Sequence, residues 1–68
     1  DFAVVEQCQR YAECGRYLRR YGGRVIEIEY RRQDFAAACG DHGDRIAVVL
    51  RDRQLRPDTA PGHRFATC

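Results

Sequence analysis

Phe2-Ala-Val-Val-Glu6-Gln-Cys8, then Tyr11-Ala-Glu13-Cys14, then Arg24-Val-Ile-Glu-Ile-Glu29-Tyr30 is the stretch whose reading decides the fold. It holds two short apolar runs, and each ends in a carboxylate. A strand that is apolar along its length and acidic at its carboxyl end is how parallel α/β enzymes present reactive groups, because those strand ends line the functional face of the sheet or barrel. The expected class is therefore α/β, and the expected activity is enzymatic.

Residues 2 to 6, with β-branched Val4 and Val5, are too few for a helix and predict a buried strand. A loop carrying two cysteines runs to Gly15. Tyr17, Leu18 and Tyr21 form one apolar stripe of a short helix over 16 to 21, stopped by Gly22-Gly23. Residues 24 to 30 alternate cleanly, with Ile26, Ile28 and Tyr30 on one face and Val25, Glu27 and Glu29 on the other. The alternation leaves Glu29 either solvent-facing or functional, and Glu27 wet or ion-paired. An Ala-rich helix is expected over 33 to 39, with Asp34 near its positive end and Gly40 ending it. Ile46-Ala-Val-Val-Leu-Arg-Asp52 predicts a third strand, and the tail from Gln54 to Cys68, with both prolines, predicts irregular chain pinned by Cys68. Strand and helix alternate with connections long enough for crossovers, the pattern of right-handed βαβ units in a parallel sheet.

At 68 residues the chain lies at the lower edge of what folds alone. It opens directly in an apolar run without a polar lead-in, which reads as a start in mid-domain. All twelve basic residues are Arg, set against ten acidic ones, for a formal net charge of +2. Arg10, Arg16, Arg19 and Arg20 alternate with Glu13 and apolar residues, and Arg51 and Arg53 flank Asp52, so no clustered basic face for nucleic acid is expected. No apolar run approaches the roughly 20 residues of a membrane span. Four cysteines in so short a chain favour pairing in an oxidising, extracellular compartment. Of the three connectivities, Cys8 with Cys14 and Cys39 with Cys68 is preferred, although spacing alone does not decide among them.

The ordered set Glu6-Gln7-Cys8, Tyr11, Glu13-Cys14, Gly23, Val25, Glu29-Tyr30, Cys39, Arg51-Asp52, Leu55 and Cys68 resembles the C-terminal part of family 114 glycoside hydrolases, the endo-α-1,4-polygalactosaminidases. The resemblance spans essentially the whole chain. It departs at Gln9, where an aromatic residue is usual, at Arg51, where Lys is expected, and at Glu27, where a small or amide residue is expected. It implies a secreted (β/α)8 TIM barrel, of which residues 1 to 68 would supply about three βα units, strands six to eight and the closing tail. It also implies hydrolysis of an α-1,4-linked galactosamine-type polysaccharide, with no cofactor or metal required.

By the same resemblance Glu6 is a catalytic carboxylate whose partner stands on an upstream strand. Glycoside hydrolysis generally uses two carboxyl groups, about 5 to 5.5 Å apart for retention and roughly 6.5 to 9.5 Å for inversion. Glu29, expected beside Glu6, is a substrate-binding or tuning group, and Tyr30, Arg51 and Asp52 are further substrate-binding candidates. Of Arg51 and Asp52, at most one faces the barrel mouth in a regular strand. An acidic mouth made of Glu6, Glu29 and Asp52 would suit a cationic amino-sugar polymer. Three strands of a barrel, with half a catalytic pair, would be inactive and prone to aggregate.

Two other readings compete. Cys39-Gly-Asp-His42 and His63-Arg-Phe-Ala-Thr-Cys68 have spacings that could close a tetrahedral zinc site in a small binding module. The alternative to both is a barrel relative that binds sugar without cleaving it.

Overall fold

The computed structural model describes residues 2–68. Its elements alternate as expected: β1 (Ala3–Glu6), α1 (Cys14–Tyr21), β2 (Val25–Glu29), α2 (Arg32–His42) and β3 (Ala47–Arg51), closed by β4 (Phe65–Thr67). The sheet order is β1-β2-β3-β4, with the first three strands parallel and β4 antiparallel to β3. It is a small α/β fold on a mixed four-stranded sheet.

The parallel register sorts the side chains into two faces. Val5, Glu27 and Val48 share one row, and Glu6, Ile28 and Val49 share the next. Because successive side chains of a strand point to opposite faces, these rows face opposite ways. The face with Val5, Val25 and Val48 is buried against Cys14 of α1 and Ala38 of α2, with Tyr17, Leu18 and Phe35 packed at its margin. The other face carries Val4, Ile26, Ile28, Ala47 and Val49 and bears no helix. On it Val4 is 57% exposed and Phe65 60%. We call these the covered and the open face.

Three boundaries differ from the sequence reading. Gly40 lies inside α2, where it costs the helix roughly 1 kcal/mol relative to Ala, and the helix runs on to His42 until Gly43 donates to the Cys39 carbonyl at 3.0 Å. α1 begins two residues early, at Cys14, which is tied from its first turn to Cys8. The tail is not irregular to its end, since Phe65–Thr67 pairs with β3. Gly22 ends α1 with φ of 60° and donates to the Leu18 carbonyl at 2.8 Å, a left-handed step that glycine takes without a Cβ clash.

The cysteines pair as Cys8–Cys14 and Cys39–Cys68, with Cα atoms 4.7 and 5.6 Å apart. The second bridge ties α2 to the chain end beyond β4. Two disulfides fit an extracellular protein, and among the described residues no helix is long and apolar enough to cross a membrane.

Candidate functional site at the carboxyl ends of the parallel strands

Glu6 is the last residue of β1 and shares the open face with Val4. Directly after it the chain turns: Gln7 takes a left-handed φ of 60°, while its amide donates to the Ile28 carbonyl at 2.8 Å. For a non-glycine residue such a backbone costs on the order of 1–3 kcal/mol, and such residues cluster at functional sites. The turn sends Cys8 under the sheet to the covered side, where it is buried and bonded to Cys14. One strained residue thus separates an exposed carboxylate from a buried disulfide.

Tyr30 follows β2 and lies on the same face as Ile28, so its hydroxyl reaches diagonally across and donates to Glu6 Oε1. That hydrogen bond, helped by partial burial and by the Glu6 charge, pushes the Tyr30 phenol up to about 12. The Arg53 guanidinium covers the Tyr30 ring, 5.2 Å from its centre. Arg64 donates to the Tyr30 carbonyl at 3.1 Å. With its oxygen turned toward the guanidinium groups, the Gln7 amide accepts from Arg53 Nη2 at 2.9 Å and Arg10 Nη1 at 3.3 Å.

Glu29 does not stand beside Glu6. It shares the covered face with Glu27, and both are 0% exposed. Glu29 Oε2 accepts the Gln9 backbone amide at 2.9 Å, whereas Glu29 Oε1 and both oxygens of Glu27 have no hydrogen-bond partner among the described residues. Glu27 is therefore neither wet nor ion-paired, contrary to the expectation from its place in an alternating strand. Burial, followed by the neighbouring Glu29 carboxyl, pushes its pKa up to about 8. At neutral pH it keeps its proton, which is the state a carboxyl between two valines favours. The Cys8 and Cys14 sulfurs lie within 4.8 Å of these carboxylates. Joined to each other, they offer no thiolate for a metal.

Arg51 and Asp52 divide as strand geometry requires. Arg51 lies over the Phe65 ring at 5.8 Å and donates to the Arg64 and Arg56 carbonyls at 3.1 and 3.0 Å. Asp52 is buried and accepts the backbone amides of Arg56 at 2.9 Å and Arg64 at 3.2 Å. Those amides, with the nearby Arg51 guanidinium, hold its carboxyl below the usual carboxylate range. Both side chains are spent on the segment that leads to β4. Of the three carboxylates expected at the mouth, only Glu6 lies on the open face.

The zinc reading loses its ligands. Cys39 and Cys68 are bonded to each other, His63 Nδ1 lies 2.7 Å from the Arg56 carbonyl, and His42 Nδ1 lies 3.2 Å from Arg45 Nη2. An apolar hollow of about 330 Å³, lined by Phe2, Gly23, Arg24, Val25, Ile26 and Ala47, opens at the other end of the strands, away from Glu6.

Sequence reading alone missed the Glu6–Tyr30 pair, Arg53 above it, and the bond from Gln9 Nε2 to Asp41 that ties the loop after Glu6 to α2 at 3.0 Å. The first could have been found, since an in-register parallel pair brings the ends of adjacent strands together on one face. The others join positions 32 and 23 residues apart through loops, where no periodicity applies.

The model of glycoside-hydrolase family GH114 matches residues 1–68, the whole chain. No curated protein and no solved structure matches it significantly.

Proposed function

We propose, from the premise that the chain belongs to glycoside-hydrolase family GH114, that it is part of an enzyme cleaving α-1,4-linked galactosamine-type polysaccharide by two-carboxylate catalysis, with Glu6 as one of the two. The observation that carries this reading is the place of Glu6: exposed, at the carboxyl end of a parallel strand, on the face that no helix covers. In a (β/α)8 barrel the helices lie outside and the carboxyl ends of the strands form the active-site mouth. The covered face here would be the outside of such a barrel, and the open face its interior.

In this arrangement β1, β2 and β3 are the sixth, seventh and eighth strands, and β4 belongs to the closing tail. Among the described strand residues Glu6 is the only carboxylate on the open face, so the second carboxyl group comes from another strand. The 68 residues alone hold half of the pair and are inactive. The galactosamine assignment rests on the motif resemblance, because the acidic rim expected to attract a polycation is reduced to Glu6, which accepts from the Tyr30 hydroxyl. Secretion accords with the two disulfides.

The test is Glu6→Gln in the complete barrel protein, with reducing-end release from α-1,4-galactosamine oligomers as the readout. A loss of about 10²- to 10⁴-fold is expected for removing an acid, base or nucleophile. An unchanged rate would remove Glu6 from the chemistry, and cleavage of a different α-glycan instead would correct the substrate.

A further inference from the structure

We infer that Tyr30 is the positioning residue of Glu6: its hydroxyl holds Oε1, Arg53 holds its ring, and Oε2 is left as the oxygen presented to the sugar. The inference rests on the assignment of Glu6 as a catalytic carboxylate.

An exposed glutamate at a strand end turns freely about its side-chain bonds, whereas a reacting carboxylate must be held within about 0.5 Å of its working geometry. Nothing else on β1 can hold it, since Ala3, Val4 and Val5 are apolar. Tyr30 can, because it is itself fixed at three points: the hydroxyl on Glu6, the ring under Arg53, and the backbone carbonyl on Arg64. Arg53 is fixed in turn by the Gln7 amide, which immediately follows Glu6. The contacts form a closed circuit across the ends of β1 and β2 and the segment after β3. A tyrosine placed for packing alone would need neither the hydroxyl contact nor the guanidinium above it. The raised phenol of Tyr30 accords with a neutral hydroxyl beside a carboxylate.

Two measurements test this in the complete barrel protein. In ¹³C-tyrosine spectra, with the Tyr30 Cζ signal identified by its loss in Tyr30→Phe, Glu6→Gln should shift that signal at neutral pH and bring its alkaline titration back toward the ordinary phenol range. In kinetics, Tyr30→Phe should lower kcat by about 10²-fold, the scale of a misplaced reacting group, with KM unchanged. Arg53→Gln should act in the same direction and less strongly, while Tyr11→Phe, at an exposed tyrosine outside the circuit, should match the wild type. A Tyr30 signal indifferent to Glu6→Gln overturns the contact. A kcat unchanged in Tyr30→Phe, or a loss confined to KM, overturns the positioning role. The titration needs no substrate, so it still reads the contact if the galactosamine assignment fails.

Discussion

The two faces of one sheet treat the same side chain in opposite ways. Glu6, on the open face, is exposed and accepts from Tyr30, whose ring lies under Arg53. Glu27, one residue out of step in the same paired strands, is sealed among Val5, Val48 and the Cys8–Cys14 bridge. Which face a carboxylate meets, rather than its being at a strand end, decides whether it can reach a substrate. Proximity along the sheet is no guide, because the Glu6 and Ile28 Cα atoms are partners while Glu29, the next residue, points the other way.

The sharpest way to break this comparison is to truncate an aliphatic residue on each face. Leu50 is fully buried on the covered face, and Leu50→Ala should cost about 2–5 kcal/mol in denaturant unfolding. Val4→Ala, on the open face, should stay within about 0.5 kcal/mol wherever that face is bare. If the open face is the interior of a barrel, the same Val4→Ala substitution in the complete protein should cost markedly more. A cost in the complete protein no larger than that bare-face value would mean that nothing covers that face.

That test bears on what was legible. The alternation of strand and helix could be read from apolar runs bounded by Gly22-Gly23 and by the loops, and the cysteine pairing accords with the preferred connectivity. The identity of the covered face could not be read from β2, where Ile26 and Ile28 make the better apolar side and yet face away from the helices. The choice is made by β1 and β3, whose valines at 5 and 48 flank Glu27 and bring it in with them. β4 escaped notice because three residues, two of them exposed, carry no measurable alternation. The Glu6 and Tyr30 candidacies came from motif resemblance, whereas the place of Arg53 over the Tyr30 ring came only from folding separate chain segments together.

The covered carboxyls sharpen the comparison through pH. Glu27 is raised from an ordinary 4.5 to about 8, so its proton is held more tightly in the folded chain than in the unfolded one. Its contribution is therefore complete below about pH 4.5, declines as pH rises, and is lost above about pH 8. The melting temperature should fall across that window, by several degrees on the scale of small domains. Glu27→Gln, which keeps the shape and cannot ionise, should flatten the decline. A decline of equal slope in Glu27→Gln would assign the titration elsewhere.

The smallest expected effect lies between the faces, at Asp52, whose carboxyl is held low by the Arg56 and Arg64 amides. Here the sign reverses. A depressed carboxyl contributes stability above its unfolded value, near 3.8, and loses it as pH falls through the lower folded value. The loss concerns the segment from Arg53 to Arg64 more than the parallel strands, because both amides it binds belong to that segment. Asp52→Asn keeps one acceptor and removes the charge that the Arg51, Arg56 and His63 side chains approach at 3.6, 3.8 and 4.0 Å. Amide hydrogen exchange should then quicken at Arg56 and Arg64 while the β1–β2 ladder keeps its protection, and the wild type should show the same local loosening only in strong acid. Because Arg64 also holds the Tyr30 carbonyl, loosening this segment should reach the open face as a modest fall in kcat with folding intact. If exchange quickened equally in all strands, Asp52 would be a support of the whole sheet rather than of the segment that closes over Tyr30.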